Sequence, residues 1–201
     1  MVKLNKLFKS SVIFAAFTAL SRALGMVREI IFAFIFGASG VMDAYLVAVK
    51  IPNFFRRLFA EGAFNQAFVP ILAEYSDGES ANKAALREFV GACTGAIAIV
   101  CFSIAIIGVV SAKYWVYLFA PGFIGEPTKL HLSASLLMIT FPYLGFICLA
   151  ALSSSVLNLH NKFALPASMP ILLNISLISA SFIGKYFFNI PIMAVAWGVL
   201  V

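Results

Sequence analysis

The sequence predicts an all-α protein, a polytopic bundle of about six transmembrane helices, on three observations. Hydrophobic residues make up 63% of the chain and charged residues only 11%, whereas a soluble domain carries about a quarter charged residues. The mean hydropathy is +1.03. The 201 residues fall into long apolar segments parted by short polar or Gly/Pro-containing breaks, and at about 20 apolar residues per span this length allows about six crossings. The formal charge of +6 does not point to nucleic acid, because the basic residues stand at segment ends or singly inside apolar runs rather than on one solvated face.

The N-terminal stretch MVKLNKLFKSSVIFAAFTAL has basic residues followed by an apolar run, as a signal peptide does, but no convincing small-residue cleavage site precedes Arg22 and Arg28. It reads as a retained first span over about residues 10–36, closed by the turn GASG, whose two glycines suit a tight connection. The second segment runs from about 41 to 75, long for one span, and Pro52 removes a backbone donor and predicts a bend. SDGESANKAALRE, residues 76–88, is strongly hydrophilic and reads as a loop into the next helix, with Ser80 a candidate N-cap. The third segment, about 89–110, is nearly all Ala, Ile, Val and Gly, and its residues Gly91, Ala92, Gly95 and Ala96 predict close helix packing. The connection KYWVYLFAPGFIGEPTKL carries Tyr114, Trp115, Tyr117 and Phe119, which suit an interfacial belt. A fourth segment spans about 131–157 with Pro142 near its middle, and a fifth spans about 166–183 after the polar link NLHNKF. The sixth begins near Pro191 and is still apolar at Val201, so the chain is expected to be a fragment or truncated product.

Alternating connections give the orientation. Lys3, Lys6, Lys9, Lys83, Arg87 and Lys162 fall on the N-terminal side, against Lys113, Lys129 and Lys185 on the other, which predicts a cytoplasmic N-terminus.

The charges inside the apolar segments are the main functional signal. Arg22 lies 13 residues beyond Lys9, about 20 Å along a helix, too far to snorkel comfortably to the surface. At about 100° per residue, Arg22 and Glu29 share a face and Arg28 points about 120° from Arg22. On the second segment Asp43, Lys50, Arg57 and Glu61 stand at spacings that form one stripe, with Arg56 beside it. Such charges either pair with one another, Arg22 with Glu29 or Asp43 for instance, or serve a ligand. The basic excess favours an anion, and the planar donor fork of Arg suits phosphate. Cys93, Cys101 and Cys148 read as buried apolar residues. Neither cysteines nor His131 and His160 form a metal-ligand pattern, and Asn158, Asn161 and Asn174 read as helix-end or interhelical hydrogen-bonding groups. No nucleophile motif or phosphate-cradling glycine loop occurs, so no enzyme, cofactor or metal site is expected.

SRALGMVREIIFAFIFGASGVMDAYLVAVKIPNFFRRLFAEGAFNQAFVPILAEY, together with FPYLGF and NKFALPASMPILLNISLI, closely resembles the MurJ (MviN) family, lipid II flippases of the multidrug/oligosaccharidyl-lipid/polysaccharide exporter superfamily. The resemblance covers essentially the whole chain. It implies two lobes around a central cationic cavity in the bacterial inner membrane, and alternating access that carries an undecaprenyl-pyrophosphate-linked precursor, lipid II, to the periplasmic leaflet. Residues 1–201 would be the N-terminal lobe, the second lobe being absent. The family's cavity arginines fall on Arg22, Arg28 and Arg56, with Asp43 at an acidic position, and Glu29, Lys50, Arg57 and Glu61 would support them. Spacing alone favours Arg57 over Arg56, and here the family pattern is followed because Pro52 can rephase the helix. The expected partners are lipid II and membrane lipids. A drug or polysaccharide exporter, or a scaffold whose charges only pair, are the alternatives.

Overall fold

The computed structural model describes residues 2–58, 68, 70–72, 74, 83–159 and 162–200, with residues 2–11, 13 and 83 described by backbone alone. Among the described residues the regular structure is helical: α1 (Val2–Phe36), α2 (Gly40–Arg56), α3 (Lys83–Val110), α4 (Ala112–Phe119), a short 3-10 turn (Pro121–Phe123), α5 (Pro127–Thr140), α6 (Tyr143–Leu159), α7 (Ala164–Phe187) and α8 (Pro191–Gly198). The stretches Ala84–Val110, Pro127–Leu159 and Ala164–Phe187 are each long and apolar enough to cross a membrane. The expected segments are recognisable, the second of them only as far as Arg56. The first helix begins earlier than expected, the fourth segment divides into α5 and α6 at Phe141–Pro142, and most of the second segment beyond Arg56, including Glu61, lies outside the described residues, as does Ser80.

Two compact units make up the chain, residues 1–43 with 160–201, and residues 44–159. In the first, α1 packs on α7 and α7 on α8. The turn GASG works as a paired stop and start. Gly37 takes φ +59°, and its N–H donates to the Ala33 carbonyl (3.1 Å), an αL cap that closes α1. Two residues on, the Ser39 hydroxyl accepts from the Met42 N–H (3.4 Å) and caps the start of α2. Where α7 meets α8, the Ser176 hydroxyl donates to the Gly198 carbonyl (2.7 Å).

In the second unit α3 packs on α6 and α4 on α5. The approach of α3 and α6 rests on Gly145, where a Cβ would run into the Phe102 ring. The expected stripe of Gly91, Ala92, Gly95 and Ala96 is exposed instead, and nothing lies within 4 Å of a Cβ built on either glycine. The reason is burial: Cys93, Ile97, Cys101, Ala105 and Gly108 recur at helical spacing on another face, and it is this face that becomes buried or half-buried. Cys101 and Cys148 are buried free thiols, in line with their expected apolar role. Phe68, Leu72 and Leu152 form a further buried cluster against Phe89 and Val90.

Pro52 shows how a helix breaker is accommodated. It lies fully buried within α2, and having no N–H it leaves the carbonyl four residues back, that of Ala48, without its usual donor. The Thr140 hydroxyl of α5 donates to that carbonyl at 3.0 Å. Both residues are buried, so a neighbouring helix supplies the hydrogen bond where water cannot.

Candidate functional site

In the first unit, Ser21, Gly25, Arg28 and Phe32 recur at intervals of four, three and four along α1 and so share one face. This face meets α7. Arg22 and Glu29 stand off it and are exposed, so the predicted angular separation of Arg28 from Arg22 corresponds to a real division between a packed and an open face.

Arg28 is the charged residue on the packed face, its side chain 25% exposed. One terminal nitrogen donates to Oδ1 of Asn174 on α7 at 3.0 Å, and the other donates to the carboxylate of the adjacent Glu29. Its guanidinium carbon lies 5.8 Å from the centroid of the Phe32 ring, one turn on, within cation–π range. The Nε–H is buried and has no hydrogen-bond partner among the described residues. Asn174 is 6% exposed, and its Nδ2 donates to the Ser21 carbonyl at 3.1 Å. The carboxamide packs beside Gly25, where a Cβ would lie 3.8 Å from Nδ2, in ordinary contact.

Among the described residues Arg22 has no hydrogen bond or ion pair. The partner of Glu29 is therefore Arg28 rather than Arg22. Asp43 sits in the first turn of α2, where a carboxylate complements the helix dipole.

In the second unit, Arg56 is half-buried at the last turn of α2 and its Nε donates to Oδ1 of Asn53 at 3.3 Å. Lys50 and Arg57 are exposed. The neighbouring two residues thus differ in burial despite the regular stripe that spacing drew through Arg57. Of the expected interfacial aromatics, Trp115 is half-buried and meets Phe55 edge-on at 5.1 Å, while Tyr114, Tyr117 and Phe119 are exposed, Phe119 lying 5.6 Å from the exposed Phe54.

Chemically, Arg28 offers a fixed, partly exposed cation, and its buried Nε–H, lacking a partner among the described residues, costs about 1–3 kcal/mol. Of the polar residues in this arrangement, Asn174 was read from the sequence as a helix-end or interhelical hydrogen-bonding group, and it is interhelical. Its connection to Arg28 was not legible there.

A family model described as lipid II flippase MurJ matches residues 32–201. Among curated proteins, a probable lipid II flippase MurJ of Buchnera aphidicola subsp. Baizongia pistaciae is 42% identical over 196 residues, covering 97% of this chain and 38% of that protein. The lipid II flippase MurJ of Burkholderia cenocepacia is 40% identical over 197 residues, covering 97% and 37%. That of Thermosipho africanus is 38% identical over 178 residues, covering 88% and 36%. A solved structure of lipid II flippase MurJ in an inward closed conformation superimposes with a TM-score of 0.75 at 33% identity, over 94% of this chain and 40% of that one. The chain thus spans about two fifths of the length of the curated relatives it matches.

Proposed function

The chain belongs to the lipid II flippase MurJ family, and from that premise we propose that it forms the N-terminal lobe of a flippase that carries lipid II from the cytoplasmic to the periplasmic leaflet of the bacterial inner membrane. Arg22, Arg28 and Arg56 bind the pyrophosphate of the precursor, while Glu29, Asp43, Lys50, Arg57 and Glu61 support them. Transport proceeds by alternating access as the lobes rock, and the N-terminus is cytoplasmic. The relatives named lipid II flippase support the substrate, and the positive excess inside apolar segments supports an anionic headgroup.

The observation that carries the reading is the state of Arg28. A guanidinium in a membrane helix is costly, and a purely structural cation would be expected to use all its buried donors. Arg28 uses its two terminal nitrogens and keeps a buried Nε–H without a partner among the described residues. A pyrophosphate supplies the opposite charge at the exposed part of the guanidinium, and acceptor oxygens for the donors that the protein leaves unfilled once the side chain adjusts to it. The rival reading, a scaffold held by paired charges, draws on the Arg28–Glu29 ion pair.

Replacement of Arg28 by Ala in the protein expressed from its native reading frame is expected to abolish complementation of a flippase-depleted strain while the protein still accumulates in the membrane. Normal growth of that strain would sink the assignment.

A further inference from the structure

We propose that Asn174 is a positioning residue for substrate: it holds the Arg28 guanidinium in place without cancelling its charge. The proposal rests on Arg28 being an anion-binding group, as argued above.

The carboxamide can lie only one way round. The Ser21 carbonyl accepts and cannot donate, and the Arg28 guanidinium donates and cannot accept. Nδ2 must therefore face Ser21, and Oδ1 must face Arg28, as observed at 3.1 and 3.0 Å. With both ends engaged and 6% exposure, the side chain has little freedom to move. One residue of α7 thus fixes both the α1 backbone at Ser21 and the side chain one face-repeat further on.

Neutrality is the second half of the argument. Glu29 already draws on one terminal nitrogen of Arg28. An Asp at 174 would bring a second carboxylate against the same guanidinium and make an anion compete with it. An amide orients the cation through an acceptor of no net charge and leaves its field for a ligand. It also leaves Nε–H as the buried donor without a partner among the described residues.

The test is the affinity for lipid II of the protein expressed from its native reading frame and purified in detergent, at fixed salt, with titrations carried to saturation of each variant. Asn174→Leu, close in size but without donor or acceptor, is expected to weaken binding about tenfold, through loss of preorganisation. On an Arg28→Ala background the same substitution is expected to change affinity by less than about twofold, because the group it positions is gone. Asn174→Asp, which keeps shape and acceptor, is expected to weaken binding more than Asn174→Leu does, and it carries the test should the Leu variant fail to accumulate in the membrane. Wild-type affinity in a membrane-inserted Asn174 variant overturns the proposal, and so does a loss that is just as large on the Arg28→Ala background, which marks a merely structural role. Wild-type affinity in Arg28→Ala alone removes the anion-site reading itself, so the two failures are distinguishable.

Discussion

Arg28 and Arg22 are six residues apart on one helix and meet different fates. Arg28 falls on the face that packs against α7, where Asn174, Glu29 and Phe32 surround it, and Arg22 falls on the open face. This contrast gives a residue-scale test between a paired scaffold and an anion site. Exchange of the charges, Arg28→Glu with Glu29→Arg, preserves an ion pair between neighbours but moves the cation off the face shared with Ser21 and Phe32. The exchanged protein is expected to accumulate in the membrane and to fail in complementing a flippase-depleted strain. Growth at the wild-type rate would mean that pairing is all these charges do. The face division was available from 100° spacing; the identity of the packed face was not, because spacing says which residues lie together and not which neighbour they meet.

At the scale of helices, the turn GASG was legible as a connection, whereas the fourth segment was read as continuous and the candidate cap Ser80 lies outside the described residues. GASG stopped one helix and started the next through Gly37 and Ser39, and Pro142 marks the break between α5 and α6. The small-residue stripe of the third segment misled: the face of α3 that packs carries Cys93, Ile97, Cys101, Ala105 and Gly108, itself mostly small, while Gly91, Ala92, Gly95 and Ala96 stay exposed, because residue size does not say which face meets a neighbour. The clearest element-scale dependence is that of α2 on α5. Thr140→Val removes the donor to the Ala48 carbonyl while keeping volume, and the carbonyl orphaned by Pro52 is left buried. A loss of about 1–3 kcal/mol is expected, read as a lower midpoint of thermal unfolding in detergent. Pro52→Ala added to Thr140→Val is expected to recover much of that loss, since an alanine at this position brings back the backbone N–H. A double variant no more stable than Thr140→Val would show that the two residues are not coupled in this way.

For the molecule as a whole, large apolar side chains stand exposed on several helices, Phe34, Val110 and Phe187 each more than four fifths so, which suits surroundings of lipid and neighbouring apolar helices rather than water. The excess of Lys and Arg on the N-terminal side sets the proposed orientation. With Cys93, Cys101 and Cys148 replaced by Ala, a cysteine introduced at Lys162 is expected to be shielded from a membrane-impermeant maleimide in intact spheroplasts, and one introduced at Gly125 to be labelled. The reverse pattern would invert the topology.

The sequence by itself determined that this is a membrane-embedded helical protein, roughly where its apolar segments run, and which charges stand within them, because these follow from local chain chemistry and from the cost of polar groups in hydrocarbon. Only the tertiary structure decided that Arg28 meets an amide 146 residues away and that Thr140 reaches back 92 residues to Ala48. Periodicity assigns each residue to a face of its own helix, but a hydrogen bond between helices depends on which faces pack, at what depth and in what register, and those are settled by the burial of all the faces together.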